Sequence, residues 1–304
     1  MDSPAADWLN QFHCGDAAQL AARLPAESID TVITSPPYYQ QRDYGDSGQL
    51  GLEPSPEAYI ERLVGVFTAL RPALRRQGTA WVVLGDKYVG NQLLGMPWRF
   101  ALALQQHGWY LRSDCIWQKP NAMPSPVRNR PTTDHEYVFL FSREASYYYD
   151  ADAIREPHVT FSENSRMKGG RRHFGVRGGT PERGKNTGNQ NLHDGRWDQA
   201  FHPLGRNKRT VWSIPLSKYR DAHFAVFPER LVETCLLATC PPGGVVLDPF
   251  SGAGTTALVA LRNERRFIGF DCNPEYCDLS RKRLAKTQPS AEQEREATLG
   301  SERA

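Results

Sequence analysis

The sequence feature that most constrains the fold is a short apolar run that ends in a glycine-containing turn. The run Val245–Leu247 passes into the turn Asp248–Gly254, and a stretch of helical character follows from Thr255 to Leu261. A buried strand that enters a helix through such a turn is typical of parallel sheets covered by helices. The turn also places backbone N–H groups at the open edge of the sheet, where a ligand can approach. The sequence therefore predicts an α/β domain with a ligand site at this edge.

The rest of the chain repeats this alternation of apolar strands and amphipathic helices. One predicted helix has Ser55 as its N-cap and Pro56 at its first position, carries Leu74 on its apolar face and ends at Gly78. The other predicted helices are 98–107, one that begins at Pro228, 255–261 and one that Asn273 caps. The predicted strands are 30–34, 80–84, 109–117, 136–141, 210–214, 245–247 and 267–270. This order predicts a doubly wound, mostly parallel α/β sheet with helices on both faces.

The composition argues against several other classes of protein. Of the 304 residues, 39% are hydrophobic and 23% are charged, and no run approaches the ~20 apolar residues that a membrane span needs. The six cysteines form no Cys-x-x-Cys pair and have no histidines beside them at ligand spacing, so no metal site is predicted. Cysteines kept as thiols fit a reducing cytoplasm.

The positive charge of the chain is concentrated in one segment. Residues 155–220 contain 14 Lys and Arg against 5 Asp and Glu, a balance of +9, whereas the whole chain carries only +3. Such a segment suits a polyanion, and duplex DNA is the partner that we expect, although a solvated loop is the alternative. The expected DNA contacts are Arg166, Lys168, Arg171, Arg172, Arg177, Arg183 and Lys185.

The turn after Leu247 has the features of a nucleoside-binding loop. Gly252 and Gly254 let a ligand approach the backbone because neither carries a Cβ. Asp271 ends the next predicted strand, 17 residues after Gly254, where a carboxylate can accept hydrogen bonds from ribose hydroxyls. The third glycine of the NAD fingerprint is missing, and the chain has no Gly-Lys-Ser/Thr phosphate loop. A tight turn without a ligand remains the alternative.

The second motif, Ser35-Pro36-Pro37-Tyr38, follows the predicted strand 30–34. Two consecutive prolines remove two backbone donors, so the loop presents carbonyl oxygens that are not tied into a sheet. We expect the Ser35 hydroxyl and the Pro36 carbonyl to accept hydrogen bonds from an exocyclic amine of a nucleobase, and Tyr38 to stack on its ring. A base inside a duplex must be flipped out to reach such a loop. A plain proline-rich turn is the alternative.

Together these motifs resemble the beta class of DNA amino-methyltransferases that use S-adenosylmethionine. The tetrapeptide Ser35–Tyr38 matches the catalytic motif of that family, and the stretch Asp248–Thr255 matches its cofactor loop. The catalytic motif comes first, a basic variable region next and the cofactor loop last, which is the order that defines the class. The similarity covers most of residues 12–285. It extends to 15–16, 117–121, 130–132, 135–137 and 227–231.

The resemblance implies a Rossmann-like class I methyltransferase fold with permuted motif order. It implies a catalytic half over residues 1–150, a basic target-recognition region over 151–220, a cofactor-binding half over 221–287 and a flexible tail over 288–304. It also implies that Ser35, Pro36, Pro37 and Tyr38 are catalytic and that no metal takes part. The implied cofactor-binding residues are Asp16, Pro228, Asp248, Phe250, Ser251, Gly252, Gly254, Thr255, Thr256 and Asp271.

Individual roles follow from the same resemblance. Asp271 is expected to bind the ribose, Asp16 the adenine amine, and the pair 227–228 the methionine end of S-adenosylmethionine. His135 and Glu136 belong to a stretch near the target base, but their roles stay open, and His135 is equally well explained as a structural histidine. Residues 43–44 form either a cover over the base or a plain surface loop.

The identity of the target base depends on the first residue of the tetrapeptide. In the family, Asp is typical of adenine-N6 enzymes and Ser of cytosine-N4 enzymes, so Ser35 favours cytosine N4. The expected reaction is direct in-line methyl transfer to a flipped cytosine in duplex DNA by a cytoplasmic, nucleoid-associated protein of bacterial or phage type. Adenine N6 is the alternative, and a non-catalytic DNA-binding protein or an RNA methyltransferase are alternatives of other kinds. A homodimer and a cognate restriction endonuclease are left open as partners.

Overall fold

The computed structural model describes residues 6–42, 48–157, 204–216 and 228–287. Within these ranges the strands are β1 Gln11–Cys14, β2 Ile29–Thr34, β3 Leu74–Leu84, β4 Tyr88–Val89, β5 Gln92–Leu93, β6 Tyr110–Gln118, β7 His135–Ser142, β8 Val211–Ser213, β9 Val245–Asp248 and β10 Arg266–Asp271. The helices are α1 Ala17–Ala22, α2 Pro56–Leu70, α3 Met96–Gln106, α4 Glu229–Thr239, α5 Thr255–Arg262 and α6 Pro274–Ala285. Two 3-10 helices span Ala6–Trp8 and Asp152–Ile154.

Eight of the strands form one sheet in the order β1-β10-β9-β2-β3-β7-β6-β8. Five of its neighbouring pairs are parallel, and β7 is antiparallel to both β3 and β6. The prediction of a mostly parallel sheet with helices is confirmed. Because β7 is antiparallel to both of its neighbours, β6 runs in the same direction as β2 and β9. The carboxyl ends of β2, β9 and β6 and the amino end of β7 therefore lie along the same edge.

The central pair of strands brings the two predicted motifs together. In the parallel ladder, Thr31 is opposite Val246 and Val32 is opposite Leu247. The chain leaves β2 toward β3 on one side and leaves β9 toward β10 on the other. This is a topological switch point, at which the connections from two neighbouring strands leave in opposite directions. Ligands bind at such points in open α/β sheets, because the two loops diverge and leave a crevice between them.

The helix after Ser55 is shorter than its apolar pattern predicted. Its start is as predicted, since Ser55 Oγ accepts a hydrogen bond from Ala58 N and Pro56 occupies the first position. The helix ends at Leu70, however, and the expectation that it continues past Leu74 to Gly78 was wrong. Pro72 has no N–H to donate and its ring clashes with the preceding turn, so the chain turns and Leu74 begins β3 instead.

The core lies on both faces of the sheet and fixes the strands that carry the site. Its largest fully buried side chains include Tyr59, Phe67, Trp81, Phe100, Phe139, Phe141, Phe267 and Phe270. Burying a side chain of this size stabilises the fold by about 1.5–3 kcal/mol, so these side chains stabilise the strands from which the loops at the sheet edge leave. No helix in the described ranges is both long and apolar enough to cross a membrane.

The chain divides into two compact units, one formed by residues 1–149 with 210–304 and one by 150–209. The larger unit includes β8, since Val211–Ser213 pairs with the end of β6. In the smaller unit, Glu156 and Arg206 exchange backbone hydrogen bonds, and the Glu156 carboxylate pairs with Arg206 and Lys208. These contacts bring Glu156 and Arg206 side by side, and residues 158–203 between them lie outside the described ranges.

Candidate active site

A cavity of about 530 Å³ opens at the edge where β2 and β9 end. Its volume falls within the range of roughly 300–1,000 Å³ that is typical of small-molecule sites. The whole Ser35–Tyr38 loop lines it, and so does the loop from Pro249 to Ala253. The other predicted site residues that line the cavity are Asp16, Thr255 and Asp271. The two motifs thus share one site, as expected from the sequence.

Asp248 joins the two loops from behind and does not line the cavity. Its Oδ1 accepts hydrogen bonds from Thr34 Oγ1 at 2.7 Å and from Phe250 N at 3.1 Å, and its Oδ2 accepts one from Thr256 Oγ1 at 2.7 Å. Thr34 ends β2 and Thr256 lies in the first turn of α5, so one buried carboxyl group connects three elements. Burial raises the pKa of Asp248 to about 6, although these hydrogen bonds act in the opposite direction.

Asp271 shapes the glycine turn and faces the cavity. Its Oδ2 accepts a hydrogen bond from Gly252 N at 2.9 Å, and its Oδ1 accepts one from Asn273 N at 3.0 Å. Burial raises the pKa of this carboxyl group to about 6. A carboxylate has about four acceptor positions, so Asp271 retains capacity for the hydroxyl groups of a ligand.

The two glycines of the turn, Gly252 and Gly254, have different structural roles. Gly252 has φ +49° and open space where a Cβ would lie, so a ligand can approach the backbone there. Gly254 has φ +73°, and a Cβ on it would lie 3.0 Å from Phe12 and from Ser280. Gly254 therefore serves close packing below the turn and does not line the cavity.

Four other predicted cofactor residues differ in whether they line the cavity. Phe250 and Ser251 line the cavity, and Ser251 Oγ is buried without a hydrogen-bond partner among the described residues. Pro228 is the N-cap of α4, and neither it nor Thr256 lines the cavity. Pro228 is buried at the N-terminus of that helix.

The Ser35–Tyr38 loop has the backbone arrangement that its prolines predicted. Tyr59 OH donates a 2.8 Å hydrogen bond to the Pro37 carbonyl, which fixes the second half of the loop. In the part of the chain that the structure describes, no hydrogen bond ends on the Pro36 carbonyl. Pro36 and Ser35 both line the cavity, so this loop offers a carbonyl and a hydroxyl oxygen at the cavity wall.

Tyr38 is held by Ser35 of its own loop and by Glu136 at the amino end of β7. Its hydroxyl donates a 2.6 Å hydrogen bond to Glu136 Oε2 and accepts one from Ser35 Oγ at 3.2 Å. Glu136 also forms an ion pair with Lys119, and both residues line the cavity. Burial, followed by the charge of Glu136, raises the pKa of Tyr38 well above its usual value. The ring lies against Gly85, where a Cβ would come within 2.9 Å of it.

The sequence left the roles of both His135 and Glu136 open, and the structure gives the two residues different surroundings. Glu136 contacts Tyr38 and Lys119. His135 is 37% exposed, its Nδ1 lies 3.6 Å from Asp134 Oδ1 and its ring meets the edge of Tyr137. His135 does not line the cavity, which favours the structural explanation.

Several cavity residues were not singled out from the sequence. They include Gln49, Leu50, Arg62 and Tyr276. Lys119, which also lines the cavity, belongs to the stretch 117–121 that resembles the family, but the sequence alone assigns it no role. The other predicted contacts, namely the seven Arg and Lys residues between 166 and 185 and residues 43–44 and 227, lie outside the described residues.

Comparison with known proteins identifies the family. Residues 29–282 match the N6/N4 family described as DNA methylase. The Type II methyltransferase M.Cfr9I of Citrobacter freundii is 37% identical over 299 residues, which cover 89% of this chain and 86% of that protein.

Two solved structures share the fold. The PvuII DNA methyltransferase (cytosine-N4-specific) superimposes with a TM-score of 0.65 at 21% identity, covering 92% of this chain and 86% of that chain. The Thermus thermophilus protein TTHA0409, complexed with S-adenosyl-L-methionine, has a TM-score of 0.59 at 23% identity, with 92% and 96% covered. The family match and the identity to M.Cfr9I establish that this chain belongs to the N6/N4 family of DNA methylases.

Proposed function

We propose that this DNA methyltransferase transfers a methyl group from S-adenosylmethionine to the exocyclic N4 of a cytosine flipped out of duplex DNA. The observation that carries the proposal is the shared cavity, because the Ser35–Tyr38 loop and the Gly252–Asp271 pair line the same space of about 530 Å³. A transfer reaction needs the donor and the acceptor within contact distance.

The residues on the cofactor side suit S-adenosylmethionine. Ser251 carries a buried hydroxyl without a partner among the described residues, and Asp271 has acceptor capacity left for a ribose. We propose that Asp271, Gly252, Ser251, Phe250 and Asp16 hold the cofactor. When bound, S-adenosylmethionine supplies an electrophilic methyl group on a positively charged sulfur.

On the base side, the protein accepts hydrogen bonds from the amine. The lone pair of an exocyclic amine is delocalised into the ring, which makes it a poor nucleophile. Acceptors at Ser35 Oγ and the Pro36 carbonyl favour a tetrahedral nitrogen and stabilise the positive charge that develops on it. No strong base is needed if the proton leaves after the transfer, and no metal is needed at any step.

The choice of cytosine over adenine depends on Ser35. The resemblance drawn from the tetrapeptide associates Ser at this position with cytosine N4 and Asp with adenine N6. Both bases present the same kind of amine, so adenine N6 is the second candidate. The two acceptors at Ser35 and Pro36 and the unfilled acceptor capacity of Asp271 argue against a protein that only binds DNA.

We further propose that residues 151–220 recognise the target sequence in double-stranded DNA. Their excess of positive charge supports this, since phosphate contacts supply much of the affinity of DNA-binding proteins. Residues 1–150 and 221–287 would then form the catalytic and the cofactor-binding halves of one methyltransferase domain.

Nucleoside mass spectrometry tests the proposed reaction. Genomic DNA that has been amplified in vitro carries no methyl groups, and it would be incubated with the protein and S-adenosylmethionine and then digested. We expect N4-methylcytosine in the digest. N6-methyladenine instead would favour the second candidate, and the absence of any methylated nucleoside would contradict a methyltransferase.

A further inference from the structure

We propose that Glu136, held by Lys119, sets the direction of the hydrogen bonds at Ser35 and thereby makes the Ser35 hydroxyl an obligatory acceptor toward the target amine. Glu136 and Lys119 are on this account positioning residues, since they act through Tyr38. The inference rests on the proposed function, because it assigns a task within the same reaction.

The direction of the chain follows from the donors that each group has. A carboxylate has no proton to give, so the 2.6 Å contact between Glu136 Oε2 and Tyr38 requires the tyrosine hydroxyl to be the donor. Tyr38 has only that one proton. Its oxygen must therefore accept the hydrogen bond at 3.2 Å from Ser35 Oγ. The proton of Ser35 is thus directed at Tyr38, and the lone pairs of Ser35 are left for the cavity.

This direction matters because a serine hydroxyl can act either as a donor or as an acceptor. As a donor, Ser35 would place its proton on the nitrogen lone pair of the base, which is the electron pair that must attack the methyl group. As an acceptor, it polarises an N–H bond so that electron density shifts toward the nitrogen, and it leaves that lone pair exposed. Fixing the direction before the base arrives removes the unproductive arrangement, which is the advantage of a preorganised site.

The Lys119–Glu136 pair is placed and buried in a way that suits this task. The two side chains are each only 16% exposed, and Lys119 also lies 4.6 Å from the centre of the Trp117 ring. Trp117 is itself fixed, since its Nε1 donates a 2.8 Å hydrogen bond to the Ile214 carbonyl. Oε1 of Glu136 contacts Lys119 and Oε2 contacts Tyr38, so each oxygen has one assigned partner.

The substitution Glu136→Gln is expected to reverse the chain of hydrogen bonds. The ammonium group of Lys119 needs an acceptor, so the amide oxygen of the glutamine turns to Lys119 and its NH₂ group turns to Tyr38. Tyr38 must then donate to Ser35, and the Ser35 proton points at the base. We expect kcat to fall about 10²-fold, comparable to the loss of one preorganised hydrogen bond in an active site, with the KM values for DNA and cofactor nearly unchanged.

Two double variants separate this account from a merely structural role. In Glu136→Gln/Lys119→Met, no ammonium group attracts the amide oxygen, so the glutamine can again accept from Tyr38. This double variant should be about tenfold faster than Glu136→Gln alone. In Tyr38→Phe, the hydrogen-bond chain from Glu136 to Ser35 is already broken, and the Ser35 hydroxyl can rotate freely. Adding Glu136→Gln to this variant should therefore change kcat less than about twofold.

The experiment measures methyl transfer from tritiated S-adenosylmethionine to in vitro amplified genomic DNA. Asp134→Asn is the matched control, since it removes a nearby carboxylate that does not line the cavity, and it should keep the wild-type kcat. Calorimetry with S-adenosylmethionine checks that each variant has a folded cofactor site.

Three outcomes would overturn the inference. The first is a Glu136→Gln variant as fast as the wild type. The second is an equally large loss of kcat when Glu136→Gln is added to Tyr38→Phe, and the third is a loss that Lys119→Met does not relieve. A wild-type protein that methylates no nucleoside would instead overturn the proposed function itself.

Discussion

At the scale of single residues, the site contains two buried carboxyl groups with different tasks. Asp248 has hydrogen-bond donors from Thr34, Thr256 and the Phe250 backbone, so it holds the loops together. Asp271 lines the cavity and accepts backbone hydrogen bonds from Gly252 and Asn273. Burial raises the pKa of each to about 6, but only Asp271 is placed to couple its protonation to a ligand.

The affinity for S-adenosylmethionine should therefore depend on pH. Above pH 6 Asp271 is ionised and can accept from ribose hydroxyls, whereas below its raised pKa of about 6 the bound proton occupies an acceptor position. We expect the affinity to fall as the pH drops from 7 to 5, by up to about tenfold per unit. Calorimetry across this range measures it.

Two variants serve as controls for the pH dependence. Asp271→Asn should bind more weakly at pH 7 and lose most of the dependence on pH, whereas Asp248→Asn should retain that dependence. An affinity of the wild type that stays constant from pH 7 to pH 5 would contradict the role of Asp271.

At the scale of secondary-structure elements, the site exists because β2 and β9 are parallel neighbours whose ends are fastened together. Asp248 at the end of β9 accepts hydrogen bonds from Thr34 at the end of β2 and from Thr256 in the first turn of α5. Each buried donor that loses its acceptor costs about 1–3 kcal/mol. The junction is therefore expected to contribute to the stability of the whole domain.

Removing this carboxyl group tests the junction. Asp248→Ala leaves Thr34 Oγ1 and Phe250 N without an acceptor and leaves Thr256 Oγ1 only its 3.4 Å hydrogen bond to the Ile33 carbonyl. We expect the free energy of unfolding to fall by about 3 kcal/mol. Urea denaturation at pH 7 measures the change. Asp278→Ala is the matched control, because its ion pair with Arg281 is exposed and should contribute less than about 1 kcal/mol. Equal stabilities of the two variants would show that the junction is unimportant.

Some features of the strands, helices and loops could be predicted from the sequence, and others could not. The glycine turn after Leu247 and the prolines after Thr34 were recognisable because each follows a short run that contains adjacent aliphatic residues. The end of α2 was missed because the apolar spacing runs on past Pro72. The approach of Glu136 to Tyr38 was not predictable, since it requires β7 to lie antiparallel beside β3, and local patterns do not give the order of strands in a sheet.

At the scale of the whole molecule, the excess positive charge is concentrated in one segment of the chain. The segment 155–220 carries a balance of +9 in a chain whose total is +3, and most of it lies within the compact unit formed by residues 150–209. The family match spans residues 29–282. The assignment of this segment to DNA recognition stays a prediction.

Neutralising part of the segment should weaken DNA binding and make it less dependent on salt. We expect Arg171→Gln/Arg172→Gln/Arg177→Gln to lower the slope of log affinity against log salt by about 1 for each phosphate that the variant no longer neutralises. The matched control is Arg75→Gln/Arg76→Gln at the amino end of β3, the edge of the sheet away from the cavity. A triple variant with the wild-type slope would exclude these arginines from the interface.

The most direct test of the account is single-turnover methyl transfer at saturating cofactor with Ser35→Ala and Asp271→Ala. If the two loops serve one reaction, Ser35→Ala should slow the transfer by about 10²-fold and leave the affinities for S-adenosylmethionine and DNA near those of the wild type. Asp271→Ala should weaken cofactor binding but should transfer methyl groups at most of the wild-type rate once S-adenosylmethionine is saturating. A Ser35→Ala variant that transfers methyl groups at the wild-type rate, or that loses DNA affinity as much as rate, would contradict it.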